Sequence, residues 1–183
     1  MNKTVWKYAL AALAPLLILL ALPLKPFLIS MIGQEVTLAV RPVDPRDLFR
    51  GDYVALSFEI ESVPVNLFEE DEGGTHEQAV RRHSEWYVSL EEGPDGLWKP
   101  CGASQLPGRE PYLKGRVKYL GQVVGKGWTA ELDYGTNMRR YYVRESTGRE
   151  LEKAAQNGVL RAKVRIWRGE AVIQSVQVVP QNQ

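Results

Sequence analysis

Two rhythms of apolar and polar positions run along the chain. The first is nearly unbroken. Tyr8 to Leu24 reads YALAALAPLLILLALPL, seventeen residues without a charge, and after Lys25 the apolar text resumes as PFLISMIG. The second has period two and starts at Gly33. It marks EVTLAVR (Glu35–Arg41), with Val36, Leu38 and Val40 on one face, and DYVALSFEI (Asp52–Ile60), with Val54, Leu56 and Phe58 on one side. It returns at Glu85–Glu92, Tyr112–Gly121, Gly127–Gly135, Arg139–Val143, Val159–Trp167 and Glu170–Val179. Aromatic and β-branched residues at this period predict strands. Arg168-Gly169 predicts a tight hairpin between the last two, and Pro94-Asp95-Gly96 predicts another within Glu91–Trp98. Helical spacing is confined to Thr147–Gly158, with Leu151, Ala154 and Ala155 as its stripe, and to a short stretch from Thr75 to His83. The pattern predicts a mainly β fold: a small antiparallel β-barrel or sandwich-like domain with one or two short helices.

The first rhythm predicts a membrane anchor. A spanning helix takes about 20 apolar residues, within a range of roughly 17–25. Tyr8 to Ile32 fits if Lys25 snorkels or faces a protein partner. No small-x-small cleavage site follows the apolar run, so it reads as an uncleaved transmembrane helix and not as a removed leader. Lys3 and Lys7 precede it. The positive-inside rule then puts the amino terminus in the cytoplasm and the β-domain on the outer side of the cytoplasmic membrane. The expected division is an anchor over residues 1–32 and an extracytoplasmic domain over 33–183.

Composition narrows the function. The formal net charge of +1 lacks the basic excess of a nucleic-acid binder. Cys101 is the single cysteine, so no internal disulfide forms. His76 and His83 stand seven apart and match no zinc spacing. Phosphate-loop and G-x-S-x-G motifs are missing. No metal or cofactor is expected.

Charge gathers in one place, RPVDPRDLFRGDYVALSF (Arg41–Phe58). Turn chemistry accounts for part of it. Asp44 suits an N-cap, Pro45 a first helical position, and Gly51 an exit at positive φ, with Leu48 and Phe49 turned to the core. Arg46, Asp47, Arg50 and Asp52 are left over. They form either a self-neutralising network or a polar groove. A second charged run, RRYYVRE (Arg139–Glu145), places Arg140, Tyr142 and Arg144 on one strand face, and Glu145 is a candidate partner for Arg46 or Arg50. The candidate binding patch is therefore Asp44, Arg46, Asp47, Arg50, Gly51, Asp52, Tyr53, Tyr142 and Glu145.

GDYVALSF (Gly51–Phe58), its VDPRDLFR lead-in (Val43–Arg50), the YLKGRV and RRYYVRE strands and the GRELEKA helix together resemble the bacterial GDYXXLXY family. Phe58 stands where the family signature has a second tyrosine, so a hydroxyl there is not essential in this chain. The resemblance implies a membrane-anchored bacterial protein of unassigned function that accompanies polytopic membrane proteins. It implies no reaction.

Two functions are expected to compete. The first is a membrane-anchored extracytoplasmic binding or accessory module. Its partners are lipid, through the N-terminal helix, and an integral membrane protein or envelope component, through the Asp44–Asp52 turn; nucleic acid is not expected. The second is a cell-envelope hydrolase. It uses Asp44, Asp47 and Asp52 as acid and base, or a serine–lysine pair of Ser30 with Lys114 or Lys118. Arg46 and Arg50 hold nearby carboxylates ionised, which suits a salt-bridged turn better than a general acid.

Overall fold

The structure, a computed structural model, describes residues 12–13, 15, 17–41, 53–70, 74–123, 127–142 and 160–179. Alternation along β1 (Gln34–Arg41) becomes a buried stripe of Val36, Leu38 and Val40. Its antiparallel neighbour β10 (Leu160–Trp167) turns Leu160, Ala162, Val164 and Ile166 to the same side. The chain then reverses through Arg168 (φ 50°) and Gly169 (φ 79°) into β11 (Glu170–Val178), the predicted two-residue hairpin. β3 (Ser57–Phe58) completes the sheet, in the order β11-β10-β1-β3.

A second antiparallel sheet faces it. Its order is β4 (Ser62–Pro64), β8 (Gly127–Asp133), β7 (Tyr112–Val123), β5 (Glu85–Glu92) and β6 (Trp98–Ser104). One hydrophobic cluster draws on both sheets and fills the half-barrel between them. Trp86 is its largest fully buried side chain; it meets Phe68 edge-on at 4.9 Å between ring centres, and its Nε1 donates to the His83 carbonyl at 3.1 Å. A third, two-stranded sheet joins β2 (Tyr53–Ala55) to β9 (Arg140–Tyr142). The mainly β expectation holds, the hairpin predicted at Pro94-Asp95-Gly96 joins β5 to β6, and only β4 had no pattern to announce it. Both β4 and β6 are edges of their sheet, and both contain a proline (Pro64, Pro100), which is tolerated at an edge because the ladder there lacks an outer partner.

The strand predicted over Asp52–Ile60 is broken in two. Leu56 leaves the ladder, donating its N–H to the Arg139 carbonyl at 2.9 Å, and a 3₁₀ turn follows at Glu59–Glu61. The short helix predicted between Thr75 and His83 is α2 (His76–Arg82), opened by a reciprocal capping box between Thr75 and Gln78. The helix predicted over Thr147–Gly158 and the turn at Pro45–Phe49 lie outside the described residues.

The predicted spanning helix is corrected. Among the described residues no helix is long and apolar enough to cross a membrane. Residues 17–21 are helical, a turn intervenes at Leu22 and Pro23, and the helix α1 (Leu24–Ile32) then starts afresh. Pro23 and Pro26 lack the N–H that an uninterrupted helix would use. α1 also belongs to the domain. Ile29 is completely buried, Lys25 pairs with Glu170 on β11, and the Ser30 hydroxyl accepts from Gln174 Nε2 at 2.8 Å. Gly33 closes the helix where a Cβ would stand 2.5 Å from the Ile29 carbonyl and 3.0 Å from that of Ile166, so a side chain here would force the backbone to shift.

Trp86→Ala removes the largest buried side chain and its hydrogen bond, and should cost about 3–5 kcal/mol. The shift of the denaturant midpoint between wild type and variant measures it.

Candidate functional site

The signature stretch starts and ends on described strands, and these fix its frame. Arg41 is the last residue of β1 and stands opposite Ser57 of β3. On the other side, Tyr53 pairs with Tyr142, Val54 with Tyr141 and Ala55 with Arg140. The backbone therefore brings the start of GDYVALSF against the RRYY strand. Asp44, Arg46, Asp47, Arg50, Gly51, Asp52 and Glu145 lie outside the described residues. Of the nine predicted patch residues, the structure places only the backbones of Tyr53 and Tyr142, directly across from each other.

The later half of the signature is core. Leu56 and Phe58 are buried, Phe58 completely. A phenylalanine suits that site because a hydroxyl buried there needs a hydrogen-bond partner.

Polar residues gather at the feet of this stretch, three of them not singled out from the sequence. Arg41 Nη1 lies 2.6 Å from Glu131 Oε1 on β8, and both side chains are about one-third exposed. The Ser57 hydroxyl donates to Glu61 Oε2 at 2.5 Å. The buried Tyr134 phenol donates to the Ile60 carbonyl at 2.9 Å. Burial pushes the Glu61 carboxyl above its ordinary value of 4.5, and Glu131 adds to the rise; the Ser57 hydroxyl, the Phe58 backbone and Arg41 pull the other way. The Tyr134 phenol is raised well above 10.0, by burial first and then by Glu61 and Glu131. Glu61 and Glu131 sit in FEIES and AELDY, where a strand rhythm gives no reason to single out an acid. Their signal is tertiary: β3, β8 and the intervening turn converge on Arg41.

This cluster can clamp and can hold a proton. It has no base and orienting partner lined up behind a nucleophile. Its two hydroxyls are spent, Ser57 on Glu61 and Tyr134 on the Ile60 carbonyl. The serine–lysine alternative fares no better, since Ser30 is held by Gln174, Lys114 by Glu85 at 2.9 Å and Lys118 by Asp133 at 3.7 Å. Glu85 raises the Lys114 pKa, the opposite of the depressed value a lysine base needs. His76 uses Nδ1 on the Phe68 carbonyl, and among the described residues no three metal-binding side chains gather.

A second feature lies beside the Tyr53–Tyr142 ladder. Arg140 and Tyr141 line a cavity of about 360 Å³ together with Pro26 of α1 and Val172 and Ile173 of β11. The RRYY strand thus stands between the signature stretch and the root of the apolar segment.

Among the described residues these features define a small β-domain of two main sheets and a two-stranded ladder, with an apolar helix folded against one sheet. The chain belongs to the GDYXXLXY family: the family model described as GDYXXLXY protein matches residues 15–176. No curated protein and no solved structure matches it.

The Glu61 site gives a second prediction, with a definite sign. A carboxyl whose folded pKa exceeds its unfolded one holds protons more tightly in the native state. Its contribution is complete below pH 4.5 and is lost as pH rises through the folded value. Thermal melts over about pH 4 to 8 should therefore show wild type losing stability relative to Glu61→Gln as pH rises. The opposite trend would mean that the ionised carboxylate is the stabilising form.

Proposed function

We propose that the protein is an accessory module held at the cytoplasmic membrane by its apolar N-terminal segment. Its β-domain stands on the outer side and docks a membrane-protein partner through the Asp44–Asp52 stretch. The observation that carries this reading is apolar exposure. Leu13, Leu17, Ile18, Leu19, Leu20, Leu22, Leu24, Phe27, Leu28, Met31 and Ile32 are each 36–70% exposed. The largest apolar patch of a typical soluble monomer is about 300–600 Å². These eleven large exposed side chains, on helical pieces either side of the turn at Leu22 and Pro23, require a cover, and lipid is the cover that matches so much apolar surface.

The frame of the signature stretch supports the docking half. A binding stretch needs rigid feet, and these feet are a strand ladder and the Arg41–Glu131 pair. One foot stands beside Pro26 of α1, so a partner embedded next to the apolar segment is within reach of it.

Affinity purification of the tagged full-length protein in mild detergent tests the docking half. A membrane protein should copurify with the wild type and be lost from Arg50→Ala, with the thermal midpoint of the variant unchanged. Equal recovery from both proteins would remove the stretch from the interface. A fall in the midpoint would give Arg50 a structural role instead.

A further inference from the structure

We propose that the end of the β-domain at the root of the apolar segment is a phospholipid-headgroup site, in which Lys114, Arg116 and Arg168 receive the phosphate of an anionic lipid from the bilayer that takes up the segment. The inference rests on the membrane reading above and adds a surface and a ligand class to it.

The topology brings the parts together. Lys25, at the start of α1, is paired with Glu170, the first residue of β11. Gly169, just before it, forms a bridge to Leu113 and accepts from the Lys114 N–H at 2.8 Å. The root of the apolar segment, the β10–β11 turn and the start of β7 therefore share one end of the domain. A cavity of about 350 Å³ opens there, and its charged walls are Lys114 and Arg116 together with the carboxylates of Glu85, Asp133 and Glu170. It shares Thr136 and Asn137 with the cavity beside α1, whose walls include Pro26, Val172 and Ile173. One end of this path is apolar and touches α1; the other is charged. That polarity matches a lipid, with acyl carbon against Pro26 and Ile173 and the headgroup between Lys114 and Arg116.

The charge around the polar end favours an anion. Among the described residues, five cations, Lys25, Lys114, Arg116, Lys118 and Arg139, share three carboxylates, Glu85, Asp133 and Glu170, and Arg168 stands in the turn beside them. Glu85 is shared by Lys114 at 2.9 Å and Arg116 at 3.3 Å, and Asp133 by Arg139 at 2.5 Å and Lys118 at 3.7 Å. A carboxylate divided between two cations leaves donor capacity unused, and these side chains are exposed enough to swing toward a phosphate. Arg168 lies over the Trp167 ring, 4.7 Å from its centre. Tyr87, beneath Lys114, meets Tyr112 edge-on at 5.8 Å. Basic residues backed by tryptophan and tyrosine are the side chains that a membrane–water interface favours.

Hydrogen–deuterium exchange of the full-length protein in lipid nanodiscs tests the site. One set of discs holds neutral phosphatidylcholine alone and the other adds phosphatidylglycerol. Residues 112–116 and 167–171 should exchange severalfold more slowly in the anionic discs. The difference should vanish in a Lys114→Gln, Arg116→Gln, Arg168→Gln variant whose 86–90 segment still exchanges as in wild type. Equal exchange in the two lipids, or a difference that survives the triple substitution, overturns the proposal. So does equal protection from inorganic phosphate in neutral discs, which makes the site one for soluble anions. A chain that fails to enter either disc defeats the membrane reading and this inference together. A chain that enters without lipid-dependent protection defeats this inference alone.

Discussion

The rest of the domain takes its place from β1 (Gln34–Arg41), whose inward Val36, Leu38 and Val40 are covered by strands distant in sequence. β10 pairs along most of its length, and β3 takes the last two residues. A one-residue slip in either ladder would turn these three side chains to solvent, so burial fixes the register. Both ends of the strand then acquire positions. Gly33 precedes it, where a side chain would force the backbone to shift; Arg41 ends it and anchors one foot of the signature stretch against Glu131.

The same strand couples stability to the features argued to be functional. The Arg41–Glu131 pair is partly exposed, and pairs of that kind contribute modestly, about 0–1 kcal/mol at a solvated surface. Its main effect is geometric. With Leu56 and Phe58 sunk in the core, it helps hold Arg41 at the end of β1, opposite Ser57 of β3. Glu61 is the exception to this economy of strain. A carboxyl held away from water costs free energy when ionised, and Ser57 offsets only part of that cost.

Much of the fold was legible because it obeys a period. Glu85–Glu92 is a strand at the predicted bounds, and Arg168-Gly169 turns as predicted, because alternation and turn chemistry are local properties. What escaped was decided elsewhere in the chain. Pro64 masks β4, a three-residue edge strand defined by its pairing with β8. The long helix expected through Ile32 is interrupted by a turn at Leu22 and Pro23, and the helix that follows packs Ile29 into the domain. The candidate site divides in the same way. Tyr53 and Tyr142 were named from two separate motifs, and the ladder sets their backbones opposite each other. Glu61 and Glu131 were missed, since only the fold carries them to Arg41.

The central claim is that lipid covers the apolar segment while the far end of the sheet stays in water. It is tested most directly by quenching of a fluorophore placed at one of two cysteines, Leu20→Cys or Val178→Cys, in a Cys101→Ser background of the full-length protein in vesicles. Leu20 lies in the exposed apolar stretch, and Val178 ends β11 opposite Leu160, away from Lys25 and Glu170. The account predicts that a lipid-borne quencher reaches the probe at residue 20 and leaves the probe at 178 to a water-soluble one. Equal access of the water-soluble quencher to both positions would contradict it.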